Sequence, residues 1–435
     1  MFFRTVVALC ALFFASCNGS REPALDSQDA DAVQPTADGP FAAPSDAQPE
    51  ASAEASFGAL DRWLKDKVEQ GTIGGYALLI FDRDDTLLLR SDAGVCGETP
   101  ACPPGRPKFD VDLVTGVASS SKWVTSTVLL AALDRLVAER KIPSVSAGLD
   151  RSAGEVLPCA ASLGRTKTVT LRQLLSFTSG LLPDHRCVGD GTSTMRECAC
   201  AILADSSLVE VASAEAGAPR TTTQPPGSVY KYGSAHQVVA AAIVETATGQ
   251  PFEALYESLV KGPAGLDARY RDRTLISGSL RASVADYAKF VRAIFHDGEP
   301  GATRVLLSKE ALDEQERSQT PPGIVFRMSP QEGLDYGLGT WRMCHRTLGP
   351  APLLALDAAA IAGSVDRTCG EVHQQGHGGK GGYQPFIDRK RGIYGVFAMR
   401  EPSPGAGAEY TPAELGLTAA VRLYAGLAAD ALRAR

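Results

Sequence analysis

Val117-Ala118-Ser119-Ser120-Ser121-Lys122-Trp123-Val124-Thr125 sets a serine three positions ahead of a lysine and then opens a long apolar run. On a helix those two side chains stand one turn apart on the same face. Trp123, Val124, Val128, Leu129, Ala132, Leu133, Leu136 and Val137 are apolar round most of that helix, the pattern of a buried element rather than a surface one. A serine hydroxyl is a poor nucleophile at its free pKa and needs a neighbouring base, which a desolvated lysine can supply. The helix N-terminus adds free N–H groups and a positive dipole end, both suited to a developing oxyanion. The spacing alone decides little, because Ser228…Lys231 and Ser258…Lys261 repeat it. Ser228 follows the turn Pro225-Pro226-Gly227 and has no such helix; Ser258 sits inside an amphipathic helix, where its hydroxyl faces solvent or backbone. The plain alternative for Ser119 is an N-capping serine.

Working outward, Leu60, Trp63, Leu64 and Val68 give Phe57 to Gln70 a helical spacing, broken by Gly74-Gly75. Tyr76 to Phe81 and Thr86 to Leu89 read as strands joined at Asp82-Arg83-Asp84-Asp85. Pro385 to Ile387 and Ile393 to Met399 form a second hairpin, and an amphipathic helix runs from Pro412 to Leu432. The middle, Ser119 to Leu312, is mostly helical, and no internal repeat is present. The expected fold is α/β (α+β): an antiparallel sheet flanked by N- and C-terminal helices, with an inserted, mostly α-helical domain.

The ordered segments carry a resemblance. Val117 to Thr125 looks like the nucleophile segment of class C β-lactamases and related peptidases and esterases. Thr170-Leu171-Arg172-Gln173-Leu174-Leu175-Ser176-Phe177-Thr178-Ser179-Gly180-Leu181 is similar to the family's "TLRxLLxHTSGL", with Phe177 where His is usual. Pro226 to Ser234 resembles "PGxxxxYSN", with Ser234 for Asn; Gly376-His377-Gly378-Gly379 resembles "GHTG", with Gly378 for Thr. Leu280 to Phe290 and Tyr336 to Trp341 are similar to the helix and strand between them. Together they span about residues 60–427 and resemble the β-lactamase-related, penicillin-recognising serine hydrolases: class C β-lactamases, D-alanyl-D-alanine carboxypeptidases and family VIII-type esterases.

The resemblance implies roles. Ser119 would be acylated, with Lys122 and Tyr232 as the basic pair, titrating as a unit; Tyr230 is a decoy. His377, Gly378 and Gly379 would line the cleft, where glycines allow close approach of substrate, and Lys380 would give a backbone N–H to the oxyanion hole with that of Ser119. Ser234 would contact substrate; a hydroxyl there disfavours amide recognition more than acylation. The substrate would be an ester, a β-lactam or a D-Ala-D-Ala-type peptide, hydrolysed without a cofactor. The alternative is an inactive penicillin- or peptidoglycan-binding envelope protein of the same fold.

Bulk properties agree with an exported protein. The 435 residues carry 43 Lys and Arg against 50 Asp and Glu, a net charge of −7 that points to no nucleic-acid partner. Residues 1–17 read as a lipoprotein-type signal peptide: a charged start at Arg4, an apolar run to Phe14, then Ala15-Ser16 ahead of Cys17, the lipid-attachment candidate. Residues 18–56, rich in Ala, Pro, Ser and acidic side chains, read as a disordered tether, and 57–432 as the hydrolase domain, with a sheet part at about 57–115 and 330–432 and a helical part at about 116–329. The expected setting is the bacterial cell envelope, the membrane touched only through the lipid anchor, and the protein a monomer.

Eight cysteines remain after Cys10 and Cys17: Cys96, Cys102, Cys159, Cys187, Cys198, Cys200, Cys344 and Cys369. An even set in an exported chain suggests disulfides. Cys96 with Cys102 closes a short Pro-rich loop and Cys344 with Cys369 a longer one, while the other four have three pairings that sequence leaves open. Zinc at Cys198-Ala199-Cys200 is the rival, but no second ligand pair has a suitable spacing. His373 and His377, four apart, are separated by Gln374-Gln375-Gly376, which does not make a metal-bearing helix. No metal is expected.

Overall fold

The structure is a computed structural model describing residues 51–97, 102–105, 107–212, 222–299, 301, 304–320, 323–327, 335–343, 374–400 and 412–434. Helix α1 (Ala51–Glu69) leads into strands β1 (Gly75–Asp82) and β2 (Leu87–Gly94). The inserted part contains α2 (Ser121–Ala138), α3 (Met195–Leu208), strand β3 (Val229–Lys231), α4 (Ala235–Thr248) and α5 (Val284–Asp297). Strands β4 (Asp335–Tyr336), β5 (Trp341–Met343), β6 (Gln374–Gly376), β7 (Tyr383–Asp388) and β8 (Ile393–Arg400) return to the sheet, and α6 (Pro412–Arg433) closes the fold. The seven-stranded sheet runs β2-β1-β8-β7-β6-β5-β4 and every pairing in it is antiparallel.

The period of two along β1 divides the core. Ala77, Leu79 and Phe81 join Val124, Val128, Phe290 and Val291 in the main core between sheet and helical part. Tyr76, Leu78 and Ile80 face the other way, onto Phe57, Leu60 and Leu64 of α1 and Val421 and Ala425 of α6. Each large apolar side chain so buried contributes about 1.5–3 kcal/mol relative to exposure. The α2 helix is buried on nearly every side from Ser121 to Leu136, as its apolar surround requires.

The α1 helix begins at Ala51, so it takes in the last six residues that composition assigned to the tether. Ala and Glu are good helix formers, and Ala53 packs into the α1–α6 core with 1% of its surface exposed. The second strand, β2, runs five residues beyond Leu89, pairing Tyr76 with Ala93.

At the β1–β2 turn, Asp85 adopts a φ of 63°. Its carboxylate accepts hydrogen bonds from Tyr394 Oη, His296 Nε2 and Arg292 Nε, each at 2.7 Å, which fastens the hairpin to β8 and α5.

Among the described residues, three disulfides join Cys96 to Cys102, Cys159 to Cys200 and Cys187 to Cys198. Residues two apart on a helix point to nearly opposite sides. Cys198 and Cys200 of α3 therefore reach different partners, with Cα–Cα separations of 5.4 and 5.9 Å. Cys17, Cys344, Cys369 and His373 lie outside the described residues.

Candidate active site

Ser119 lies in one 3-10 turn, Ala118–Ser120, immediately ahead of α2. The expected place was the first turn of the α-helix; the tighter turn follows Ala118 at a φ of 47°, a left-handed conformation that strains a non-glycine residue. The next two serines hold this turn in place. Ser120 Oγ donates towards His377 O at 2.7 Å and Tyr383 O at 3.1 Å, tying the turn to the start of β7. Ser121 Oγ donates to Ala118 O at 2.6 Å and accepts from Leu280 N at 3.1 Å. Tyr287 Oη closes the set by donating to Ser120 O at 2.8 Å.

Lys122, 2% exposed, sends Nζ to Ser119 Oγ at 3.2 Å and Ser277 O at 3.0 Å. Burial pushes its pKa down to about 7, against the opposing charge of Asp184. Nζ also lies over the Tyr232 ring, 4.6 Å from its centroid. Gln237 of α4 fixes the turn of helix that carries the lysine, its Nε2 donating to Lys122 O at 3.0 Å and Ser126 Oγ at 3.1 Å.

The rival serine–lysine pairs are engaged elsewhere, and neither serine has a lysine partner among the described residues. Ser228 Oγ donates to Pro225 O at 2.7 Å and Lys231 Nζ to Thr222 O at 2.6 Å. Ser258 Oγ donates to Ala254 O at 2.7 Å, and Lys261 pairs with Glu257.

Tyr232 belongs to an aromatic wall. Phe177 lies 4.9 Å from it, His377 5.9 Å and Trp341 6.4 Å between ring centroids. Phe177, at a φ of 57° and fully buried, also meets Tyr230, Tyr336 and His236. An aromatic ring thus fills the place where the resembled family has an imidazole. Tyr230 is wholly buried between Tyr336 and Trp341.

His377 is 1% exposed, and its Nδ1 lies 3.0 Å from Gly378 O. Burial, with the charge of Lys122 adding, pushes its pKa down to about 3, so the ring is neutral near pH 7. Nε2 has no hydrogen-bond partner among the described residues. Gly379 presses against the nucleophile turn: a Cβ there would overlap Val117 O. Its N–H donates to Tyr383 O at 2.7 Å. No turn or loop carbonyl of the described residues accepts from the N–H of Lys380. Gly378 lies beside Gln384 Oε1.

Ser234 heads α4 without using its hydroxyl as a cap, and its N–H points to Asp184 Oδ1 at 3.4 Å. Ala235 N donates to Pro183 O at 2.9 Å, so the 183–184 loop is stitched to the segment that carries Tyr232. Ser120, Ser277, Gln237 and Asp184 were not singled out by sequence. Ser277 in particular offers a main-chain oxygen 155 residues from Lys122, for which no residue type is a signal.

Comparison with known proteins gives a consistent set. The family profile described as Beta-lactamase matches residues 60–420. A curated relative, Esterase EstB of Burkholderia gladioli, is 30% identical over 239 residues, covering 53% of this chain and 52% of that protein. The chain's match therefore spans about half the length of that relative. A candidate beta-lactamase of Bacteroides dorei DSM 17855 superimposes with a TM-score of 0.59 at 23% identity, over 82% of this chain and 94% of that one. The D-amino acid amidase of Ochrobactrum anthropi SV3, solved with L-phenylalanine amide, gives 0.56 at 17% identity, over 85% and 98%. At these identities the two structures speak for the fold alone.

Proposed function

The chain belongs to the beta-lactamase family, whose members here are serine hydrolases, and from that premise we propose that it hydrolyses a carboxylic ester through an acyl-enzyme on Ser119. The observation that carries this reading is the buried Lys122 amine, 3.2 Å from Ser119 Oγ, with its pKa near 7. A lysine so placed is largely uncharged just above neutrality and accepts the hydroxyl proton as Oγ attacks the substrate carbonyl carbon. The oxyanion formed on the carbonyl oxygen is met by the N–H groups of Ser119 and Lys380; removing one such donor typically lowers kcat about a hundred- to a thousandfold. Collapse breaks the bond to the alkoxy oxygen, and the proton held by the Lys122–Tyr232 pair passes to the leaving alcohol. Water then attacks the acyl carbon, giving its proton to the same pair, and Ser119 is released with its proton restored. Neutral His377, with Nε2 uncommitted, is placed as a hydrogen-bond partner for bound substrate.

An ester is favoured over a lactam or peptide on two grounds. The relative matched over about half its length bears the name esterase, and Ser234 stands where an amide would recognise an amide-containing substrate. The protein is further proposed to act as an exported monomer held to the cell envelope by lipid on Cys17, a reading supported by the N-terminal pattern and by three disulfides among the described residues.

Intact-protein mass spectrometry over time, with a p-nitrophenyl ester, a cephalosporin and a D-Ala-D-Ala peptide, tests the proposal. Ester turnover with a transient acyl mass on Ser119, absent in Ser119→Ala, is expected. A response to the cephalosporin or peptide alone would replace the substrate class, and neither adduct nor turnover with any of the three would favour a binding protein. Full activity in Ser119→Ala would remove the nucleophile from consideration.

A further inference from the structure

Beside the Pro183–Asp184 loop, a second chemical cluster stands outside the serine–lysine machinery. His185, Cys187 and Cys198 bring one ligand atom each to within 4.8 Å of one another. His185 Nδ1 lies 3.0 Å from Cys187 Sγ, and the Cys187 backbone N–H points to the same nitrogen at 3.3 Å. That contact identifies Nδ1 as the ring atom carrying the lone pair, with the proton on Nε2. Nε2 then donates to Asp205 Oδ2 at 2.9 Å. A carboxylate behind a histidine whose other nitrogen faces two sulfurs is the arrangement that orients metal-binding imidazoles. Both sulfurs are buried, Cys187 at 7% and Cys198 at 1% exposure.

In the oxidised protein the two sulfurs are joined to each other. We propose that the dithiol form of this cluster is a binding site for a zinc-class divalent cation, held by His185 Nδ1, Cys187 Sγ and Cys198 Sγ, with Asp205 orienting the imidazole. A dithiol reductant supplies two electrons, breaks the S–S bond and is itself oxidised to a disulfide. The two thiols so formed lose their protons to solvent as the cation binds. Zinc takes sulfur at about 2.3 Å and imidazole nitrogen at about 2.0–2.1 Å, in a tetrahedron whose fourth position a water would take. The sulfurs need only side-chain rotation to move from bonding distance to the edge of that tetrahedron, because all three ligand atoms are already gathered.

The consequence is a staple that works in two chemical states. The disulfide closes a sequence separation of 11, and a bridging cation closes the same one. Pro183 and Asp184, four and three residues before Cys187, are stitched to the Tyr232 segment. Either closure therefore holds the same rim of the candidate active site. The sequence hid this because Cys198-Ala199-Cys200 suggested a paired ligand set, whereas Cys200 points away to Cys159.

The test uses the whole chain reduced with a phosphine, which takes up the oxygen of water as the disulfide becomes two thiols. Cobalt(II) alone is titrated in, followed by zinc(II) as competitor, with circular dichroism recording the fold. One cobalt per chain is expected, with thiolate-to-metal charge transfer and the strong visible bands of a tetrahedral site, bleached by zinc. His185→Ala keeps every thiol yet should lose these bands, and Asp205→Asn should weaken affinity about 10–100-fold. A spectrum unchanged in His185→Ala would assign the metal to other thiols and overturn the proposal. So would the absence of any band, or loss of the fold on reduction before metal is added.

Discussion

Replacing Lys122 by methionine should abolish turnover and make the protein more stable at the same time. Burial takes the lysine from its ordinary 10.5 to about 7, a fall of about 3.5. At about 1.36 kcal/mol per unit, the folded state disfavours the ammonium by about 5 kcal/mol once pH lies below the folded pKa. Methionine has a similar length and no charge, but it leaves Ser277 O without its donor, and an unsatisfied buried carbonyl costs about 1–3 kcal/mol. The net gain expected for Lys122→Met near pH 6 is about 2–4 kcal/mol. Between pH 7 and 10.5 the unfolded lysine holds a proton that the folded one has lost, so the contribution of Lys122 to wild-type stability rises with pH across that window and is level below it. The advantage of the variant should therefore shrink as pH rises and reverse above about 10.5, where only the lost hydrogen bond remains. Urea midpoints of both proteins at several pH values measure this, and taking the difference cancels the titration of the buried tyrosines. A variant less stable than wild type at pH 6, or a difference independent of pH, would refute the claim that Lys122 is held against its hydration.

Three further outcomes follow. The kcat/KM for an ester should rise with pH through an apparent pKa of about 7 as Lys122 loses its proton, while His377, held near 3, adds no inflection above that range. A pH–rate profile flat between about 5 and 8 would contradict it. Gly379→Ala should lower stability by about 1–3 kcal/mol, read from the urea midpoint, and reduce kcat, because the added methyl meets Val117 O, which is itself fixed by Ser120 N. Asp85 is pushed up by burial but taken further down, to about 2, by hydrogen bonds from His296, Arg292 and Tyr394; His296 is raised chiefly by its hydrogen bond to Asp85. The stability Asp85 contributes is lost as pH falls through about 2, and that of His296 as pH rises through its raised pKa. Asp85→Asn should thus cost most, about 1–2 kcal/mol, from about pH 4 to 6.5, with thermal melts across pH as the measurement.

The parts of this molecule that sequence exposes are those where one physical pressure acts on a run of neighbours. Trp123 to Val137 is legible because burial on all sides demands apolar residues throughout. Tyr76 to Phe81 and Ile393 to Met399 are legible as strands, although both faces are covered, because β-branched and aromatic residues crowd between turn signals. The start of α1 is hidden because Ala, Ser and Glu satisfy both a solvated chain and a helix, and only tertiary packing of Ala53 separates the two. Cysteine pairing is hidden because it depends on which side of α3 each sulfur occupies. Ser119, Lys122 and Tyr232 come together as the ordered motifs imply, yet their supports do not announce themselves. Ser120 reads as one more serine beside the nucleophile, while its hydroxyl reaches His377 O across 257 positions of chain. Phe177 reads as a departure from a motif, while in space it is the ring against which Tyr232 rests.

The division of the core by β1 also governs how this protein can be handled. Helices α1 and α6 lie side by side on the face of the sheet opposite α2 and Ser119. A carrier joined ahead of α1 or behind α6, whether a bead, a reporter or a display scaffold, attaches at the back of the sheet. Capture by either end then leaves Ser119 on the opposite side of the sheet from the attachment, and an immobilised preparation should keep the substrate affinity of the free protein.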